Sequence, residues 1–300
     1  MNINTMIVCI TCLLVLVSCS NDHADSFDRI EQNYELLLGV AAINLTTGEE
    51  VYYNADTLFS TASLIKTPIL VELYRQYEIG MLDPLRRIQI DTTNIYPGSG
   101  ILQHMTLPNT ITLQDAALLM IILSDNTATN LVFDQLGPDH QAQLDAVNTM
   151  MQTLGLSNTE MLNKPFGFDT RQDTDFARRY GIGASTPREM MRLMQMFARG
   201  GVVSSDASAD MIAIHKNQVY TDYVPLYLPA YEDTLSFALK TGAISRARTD
   251  AGLIFSPSDT IAYAVMVDRV DDPRWVPDHK GNLAVSEAGK VMYEMVRKKR

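Results

Sequence analysis

Cysteine is nearly missing from this chain: of 300 residues three are cysteine, and Cys9, Cys12 and Cys19 all fall within the first twenty. The body of the protein therefore has no thiol for a disulfide, a cysteine metal site or a cysteine nucleophile. Positive charge is also short, with 24 Lys and Arg against 35 Asp and Glu and a net charge of −11. No basic patch interrupts that balance, which excludes nucleic acid as a partner. The five histidines are scattered, without an HxxxH or HExxH pair, so neither a metal nor another cofactor is expected. Internal repeats and Gly/Ser linkers are absent, which leaves no seam between separable domains. What remains is 46% hydrophobic and 20% charged, ample core for one large domain or two intimate lobes, here expected as a monomer.

The opening "MNINTMIVCITCLLVLVSCS" holds an apolar run from Met6 to Val17 that is short for a bilayer span and fits a secretory signal core. It ends in Leu16-Val17-Ser18-Cys19, which resembles a bacterial lipoprotein cleavage box, although no Lys or Arg precedes the run. The resemblance implies a lipoprotein signal peptide over residues 1–19 with cleavage before Cys19, whose lipidated thiol would anchor the protein to a membrane. A plain signal peptide that happens to contain cysteine is the alternative. Either way the body is exported, to the periplasmic side. Ser20, in place of the aspartate that commonly retains such proteins at the inner membrane, favours the outer one.

Residues 20–29 read as a polar tether leading into an amphipathic helix. "LLLGVAAINLTTGEEVYYNAD" then reads as a β-hairpin. Apolar spacings of three and four predict helices over 65–78, 112–123, 126–136, 140–154 and 187–199. Strand patterns return in "TLSFALKTG", "TDAGLIFS" and "TIAYAVMVDRV", and "LAVSEAGKVMYEMVRKKR" closes as a helix. The expected fold is α/β of the α+β kind. A mixed, mainly antiparallel sheet is built from both chain ends (about 30–62 and 201–300), with flanking helices and an inserted helical lobe (about 63–200).

Chemistry enters at "STASLIKTPIL". Ser63 and Lys66 share a helix face, and a serine N–H at a helix N-terminus faces a developing oxyanion. Lys66 can accept a proton only if its pKa is depressed, which apolar neighbours such as Leu64 and Ile69 favour. An isolated SxxK also fits a surface lysine on a capped helix. Its company decides between the two: "LSDNTATN" supplies Ser124-Asp125-Asn126, and "ALKTGAIS" supplies Lys240-Thr241-Gly242.

SxxK, SDN and KTG in that order resemble the penicillin-recognising serine enzymes, the serine β-lactamases and penicillin-binding proteins. "ASTPREMMRLM" and "YPGSGIL" extend the likeness, specifically to class A β-lactamases, over residues 30–300. The resemblance implies Ser63 as acylated nucleophile and Lys66 as the group that abstracts or relays its proton. Ser124 would pass a proton to the leaving nitrogen, Asn126 would bind the substrate amide, and Asp125 would be structural. Lys240 would keep the cleft electropositive, Thr241 would grip a carboxylate, and Gly242 would leave room for ligand. The Ser63 and Ala243 N–H groups would form the oxyanion hole. Tyr96 would be an aromatic cleft wall, or a solvent-facing turn tyrosine. Arg246 and Arg248 would bind a carboxylate or decorate a strand.

One departure is large. The ExxLN glutamate that activates the hydrolytic water in class A has no match; "EMLN" from Glu160 is one residue short and too early. Asp169, Asp173 and Asp175 lie in the right stretch, Asp169 and Asp173 being the candidate deacylation bases, against a reading in which these carboxylates pair with Arg171, Arg178 or Arg179. Three functions follow: a class A-like β-lactamase, a D-Ala-D-Ala peptidase or esterase with the same chemistry, or a penicillin-binding acyl trap that deacylates slowly.

Overall fold

The structure, a computed structural model, describes residues 21–228 and 234–298, with side chains from Asp25 onward. The signal region and Cys19 lie outside the described residues. Helix α1 spans Asn21–Tyr34, so the stretch expected as a tether is helical almost throughout. Phe27 and Ile30 are buried, and the Tyr34 hydroxyl donates to Glu287 (2.7 Å).

A five-stranded antiparallel sheet forms the frame. Strands β1 (Leu37–Asn44) and β2 (Glu50–Tyr53) make the expected hairpin. The short strand β3 (Phe59–Ser60) leads into a 3-10 turn, Ala62–Ile65, and helix α2 (Lys66–Glu78). The hairpin β4 (Arg87–Ile90) and β5 (Asn109–Thr112) precedes α3 (Leu113–Ile122), α4 (Asn126–Phe133) and α5 (His140–Thr153). Next come β6 (Glu160–Met161), α6 (Asp175–Tyr180), β7 (Gly183–Ser185), α7 (Pro187–Ala198) and α8 (Ser205–His215). Strands β8 (Ser236–Ile244), β9 (Ala247–Phe255) and β10 (Thr260–Asp268) return to the sheet, and α9 (Lys280–Val296) ends it. The order is β2-β1-β10-β9-β8, so the two chain ends meet where β1 pairs with β10 and β8 is left at the edge.

Both sheet faces are covered, which is why β1 and β10 are largely apolar on both sides, while β9 also buries Arg248, Thr249 and Asp250. Leu38, Val40 and Val265 pack with Phe27 and Met292 beneath α1 and α9, whereas Ala41, Ala264 and Met266 join the helical side with Ile69 and Leu193. Cap chemistry fixes helix starts. Thr186 accepts from the Glu189 N–H, with Pro187 at the first helical position.

Helix α8 lies outside the helices that residue spacing predicts. Its inward residues, Ala207, Met211 and His215, keep a spacing of four, but two of the three carry weak hydrophobic signal. The helix packs on α7, α3 and β8.

Gly242 is the joint between sheet and helical side. A Cβ there would lie 2.4 Å from Thr249 Oγ1, 2.6 Å from the Thr61 carbonyl and 2.9 Å from the Leu64 N–H. The expectation that Gly242 serves to clear space for ligand is thus corrected: it lets β8 lie against the turn that carries Ser63. Gly242→Ala should lower stability by about 1–3 kcal/mol, overpacking against backbone being unrelieved by side-chain motion. Thermal unfolding should show this as a Tm loss of several degrees, and an unchanged Tm would contradict the tight joint.

Candidate active site

Three segments converge on one hydroxyl. Ser63 stands in the 3-10 turn just before α2, preceded by Ala62 at a φ of +45°. The turn is pinned on two sides: the Thr61 N–H donates to the Gly183 carbonyl (2.9 Å), and the Thr249 hydroxyl donates to the Thr61 carbonyl (2.9 Å). Ser124, at a φ of +52°, sits between α3 and α4. Strained backbone at Ala62 and Ser124 needs a surrounding frame to hold it.

Asp125 supplies part of that frame. It caps α4 by accepting from the Ala128 N–H (2.8 Å) and ties in the Ile101 (2.7 Å) and Leu102 (2.9 Å) N–H groups. It is therefore structural, as its position between Ser124 and Asn126 implies.

Lys66 and Lys240 are both fully buried. Lys66 Nζ donates to the Ser124 carbonyl (2.7 Å), to Ser124 Oγ (3.1 Å) and to Asn126 Oδ1 (2.8 Å). Lys240 Nζ donates to the same Oγ (3.1 Å) and to the Thr241 carbonyl (2.6 Å). With two amines donating to its lone pairs, the Ser124 hydroxyl is left to aim its own hydrogen elsewhere. Asn126 is oriented by donating Nδ2–H to the Pro97 carbonyl (2.8 Å).

The lysines' partners are dipoles rather than carboxylates, so burial dominates their protonation. It pulls Lys66 well below the ordinary lysine value, helped by the charge of Lys240 and opposed by Asp125. Burial also takes Lys240 down to about 7, against the pull of Asp250. His215 on α8 is held neutral by burial, down to about 4, with the charge of Lys240 pushing the same way.

Ser63, Ser124, Asn126, Thr241, Gly242 and Ala243 line one cleft of about 680 Å³. Lys66 spends its hydrogen bonds on the Ser124–Asn126 segment rather than on Ser63 Oγ, because that segment offers three oxygens within reach.

Other expected residues fall elsewhere. Asp173 is 93% exposed and paired with Arg178, which also holds Asp175 (2.6 Å). Asp169 is likewise exposed. As candidate deacylation bases, Asp169 and Asp173 are corrected, since the loop turns Pro165 and Phe166 to the cleft instead. Asn130 fixes that presentation by donating to the Pro165 carbonyl (2.8 Å). Tyr96 is not the cleft wall: its backbone is tied to the Thr127 hydroxyl (2.9 Å) and its ring lies 5.8 Å from the Lys164 amine. The cleft's aromatic residues are Phe166, Tyr220, Tyr223 and Trp275, which sequence reasoning missed because no motif marks them. Arg246 is committed to the Arg179 carbonyl and Asp268, and buried Arg248 to Asn282 and the Ile244 and Ala247 carbonyls. Neither lines the cleft. Among the described residues no group of three or more His, Cys, Asp or Glu is placed to hold a metal ion.

The family model described as the beta-lactamase enzyme family matches residues 23–296. The chain belongs to that family. It is 26% identical over 242 residues to beta-lactamase 3 of Bacillus cereus, covering 79% of this chain and 71% of that protein. The crystal structure of a beta-lactamase from Sphaerobacter thermophilus superposes with a TM-score of 0.78 at 27% identity, over 91% of this chain and 95% of that one. A mutant of PBP-A in acyl-enzyme complex with penicillin G gives 0.74 at 26% identity, over 90% and 95%. This β-lactamase-family chain thus has the expected α/β fold with flanking helices, its main sheet antiparallel throughout.

The electrostatics set a pH dependence. A neutral Lys66 can accept a proton and a cationic Lys240 can hold an anion, so a hydrolytic activity that uses both should fall as pH drops through the depressed pKa of Lys66 and fall again above about 7. Between about 7 and the unfolded lysine value near 10.4 the unfolded chain binds the Lys240 proton and the native chain does not, so this group makes stability rise with pH there. Lys240→Gln should remove the alkaline limb of kcat/KM and flatten that rise. Both persisting in the variant would contradict the assignment.

Proposed function

We propose that the protein hydrolyses β-lactams through an acyl-enzyme on Ser63. The observation that carries this reading is the double donation of Lys66 and Lys240 to Ser124 Oγ at the floor of the cleft that Ser63 lines. Neutral Lys66 takes the Ser63 proton, directly or through a water, and Oγ attacks the lactam carbonyl carbon. The oxyanion is met by the N–H groups of Ser63 and Ala243, each contributing on the order of 3 kcal/mol to the transition state. As the C–N bond breaks, Ser124 gives its proton to the ring nitrogen and is resupplied by a lysine. Asn126 and Thr241 hold the substrate amide and carboxylate. Water then cleaves the ester and frees Ser63.

A second reading, slow release of the acyl group, is favoured by Pro165 and Phe166, which stand in the cleft without a proton acceptor. The likeness to PBP-A, a mutant of which was captured with penicillin G attached, supports it. Loss of a general base costs about 10²–10⁴-fold, so deacylation would limit turnover. We also propose export and anchoring through a lipid on Cys19.

With a chromogenic cephalosporin the mature protein should give a burst equal to the enzyme concentration, followed by a steady rate at least about 100-fold below the burst rate. Penicillin should add one adduct mass to wild type and none to Ser63→Ala. Label on the Ser63→Ala protein would overturn the assignment, and activity on D-Ala-D-Ala peptides without a burst would favour peptidase chemistry. The protein should fractionate with membranes, and Cys19→Ala should release it.

A further inference from the structure

One end of the cleft has no part in that chemistry. Beyond Thr241 the wall continues along β8 to Ser245, just past the strand's end, and is closed by Tyr220, Asp222, Tyr223 and Trp275. Asp222 is exposed and is the one carboxylate among the described residues that line the cleft. Its neighbours come from two segments: Tyr220 and Tyr223 flank it in sequence, while Trp275, 68% exposed, arrives from the loop between β10 and α9.

This wall is held from behind. The Val224 N–H donates to buried Asp250 (3.0 Å), the Ser286 hydroxyl donates to the Tyr223 carbonyl (2.8 Å), and the Tyr220 N–H donates to Gln218 Oε1 (3.1 Å). One face of Trp275 already carries a cation, the Arg248 guanidinium at 4.9 Å from the ring centre. That group is buried and bound to Asn282 and two carbonyls, so it offers substrate no hydrogen-bonding face.

We propose that Asp222, Tyr220 and Trp275 form a subsite for a cationic substituent, an ammonium or pyridinium carried on the carboxylate side of the lactam; the proposal rests on the acylation reading above. The charges around it are Asp222, Arg248, Lys240 and the Asp272–Arg274 pair, with Asp250 behind. Lys240 and Thr241 would take the substrate carboxylate, so a cation placed further along β8 comes to the carboxylate of Asp222 and to aromatic faces that attract positive charge. The two ends of the cleft thereby match the two charges of a zwitterion. Arg248 attracts Asp222 and so weakens this preference, but its guanidinium hydrogen bonds go to Asn282 and two carbonyls, and Asp222 forms no salt bridge among the described residues.

The test compares two cephalosporins that share an acyl side chain and differ at C3, one neutral acetoxymethyl and one pyridiniomethyl. Binding is measured by calorimetry on Ser63→Ala, alone and combined with Asp222→Asn or Trp275→Leu. The cation should bind about fivefold tighter than its neutral partner, and this ratio should fall to near unity with Asp222→Asn, by about threefold with Trp275→Leu, and also in about 0.5 M salt. No preference on Ser63→Ala, or a preference that survives Asp222→Asn, would overturn the subsite. Penicillin labelling of wild type is read separately, so loss of the acylation reading shows there while the binding ratio still decides the subsite.

Discussion

Two lysine amines share one serine oxygen deep in the protein. Lys66 and Lys240 both donate to Ser124 Oγ at 3.1 Å, and both are out of contact with water. Burying two like charges side by side is unfavourable by several kcal/mol unless protons leave. Burial and crowding therefore lower the proton affinity of both amines, and it is the deprotonated state of Lys66, which gives up one of its three hydrogen bonds, that can act as a base. Carboxylates placed against them would stabilise the fold and remove the chemistry. The structure instead sets carbonyls and an amide oxygen around Lys66, and keeps Asp125 occupied with three backbone N–H groups.

The rest of the molecule holds this unfavourable cluster in place. Lys240 comes from an edge strand, Ser124 from a helix junction and Lys66 from a helix start, and each is secured by a different device. β8 is brought close by Gly242, Ser124 is locked by the Asp125 cap, and the Ser63 turn is pinned through Thr61 between Gly183 and Thr249. Backbone strain at Ala62 and Ser124 marks where the frame forces the chain rather than follows it. The sheet, sealed on both faces, supplies the rigidity these contacts need.

Much of this was legible in the residues. The hairpin, the five long helices and the closing strands follow from periodicity, and the catalytic candidates follow from three short motifs whose residue types have few other reasons to occur together. Less legible were features set by tertiary contact. α8 hides behind Ala207 and His215, which carry little hydrophobic signal. Asp169 and Asp173 share a loop with Pro165 and Phe166, and sequence alone does not say which side of the loop faces inward. Tyr96 sits in the matching segment, but its backbone bonds to Thr127 and Gly98 and Ser99 reach the cleft in its stead. Gly242 looked like space for a ligand because the neighbour that fills that space, Thr61, lies far away in the chain. The aromatic end of the cleft has no motif, since its members come from loops joined only by the fold.

The most direct test is an NMR titration of the lysine ε-carbons in the apo protein, with Lys66→Gln and Lys240→Gln to assign the two buried signals. The account predicts that both titrate far below the ordinary lysine range, Lys240 near 7 and Lys66 rising when the charge of Lys240 is removed. Two lysines titrating near 10.4, like lysines in water, would contradict it.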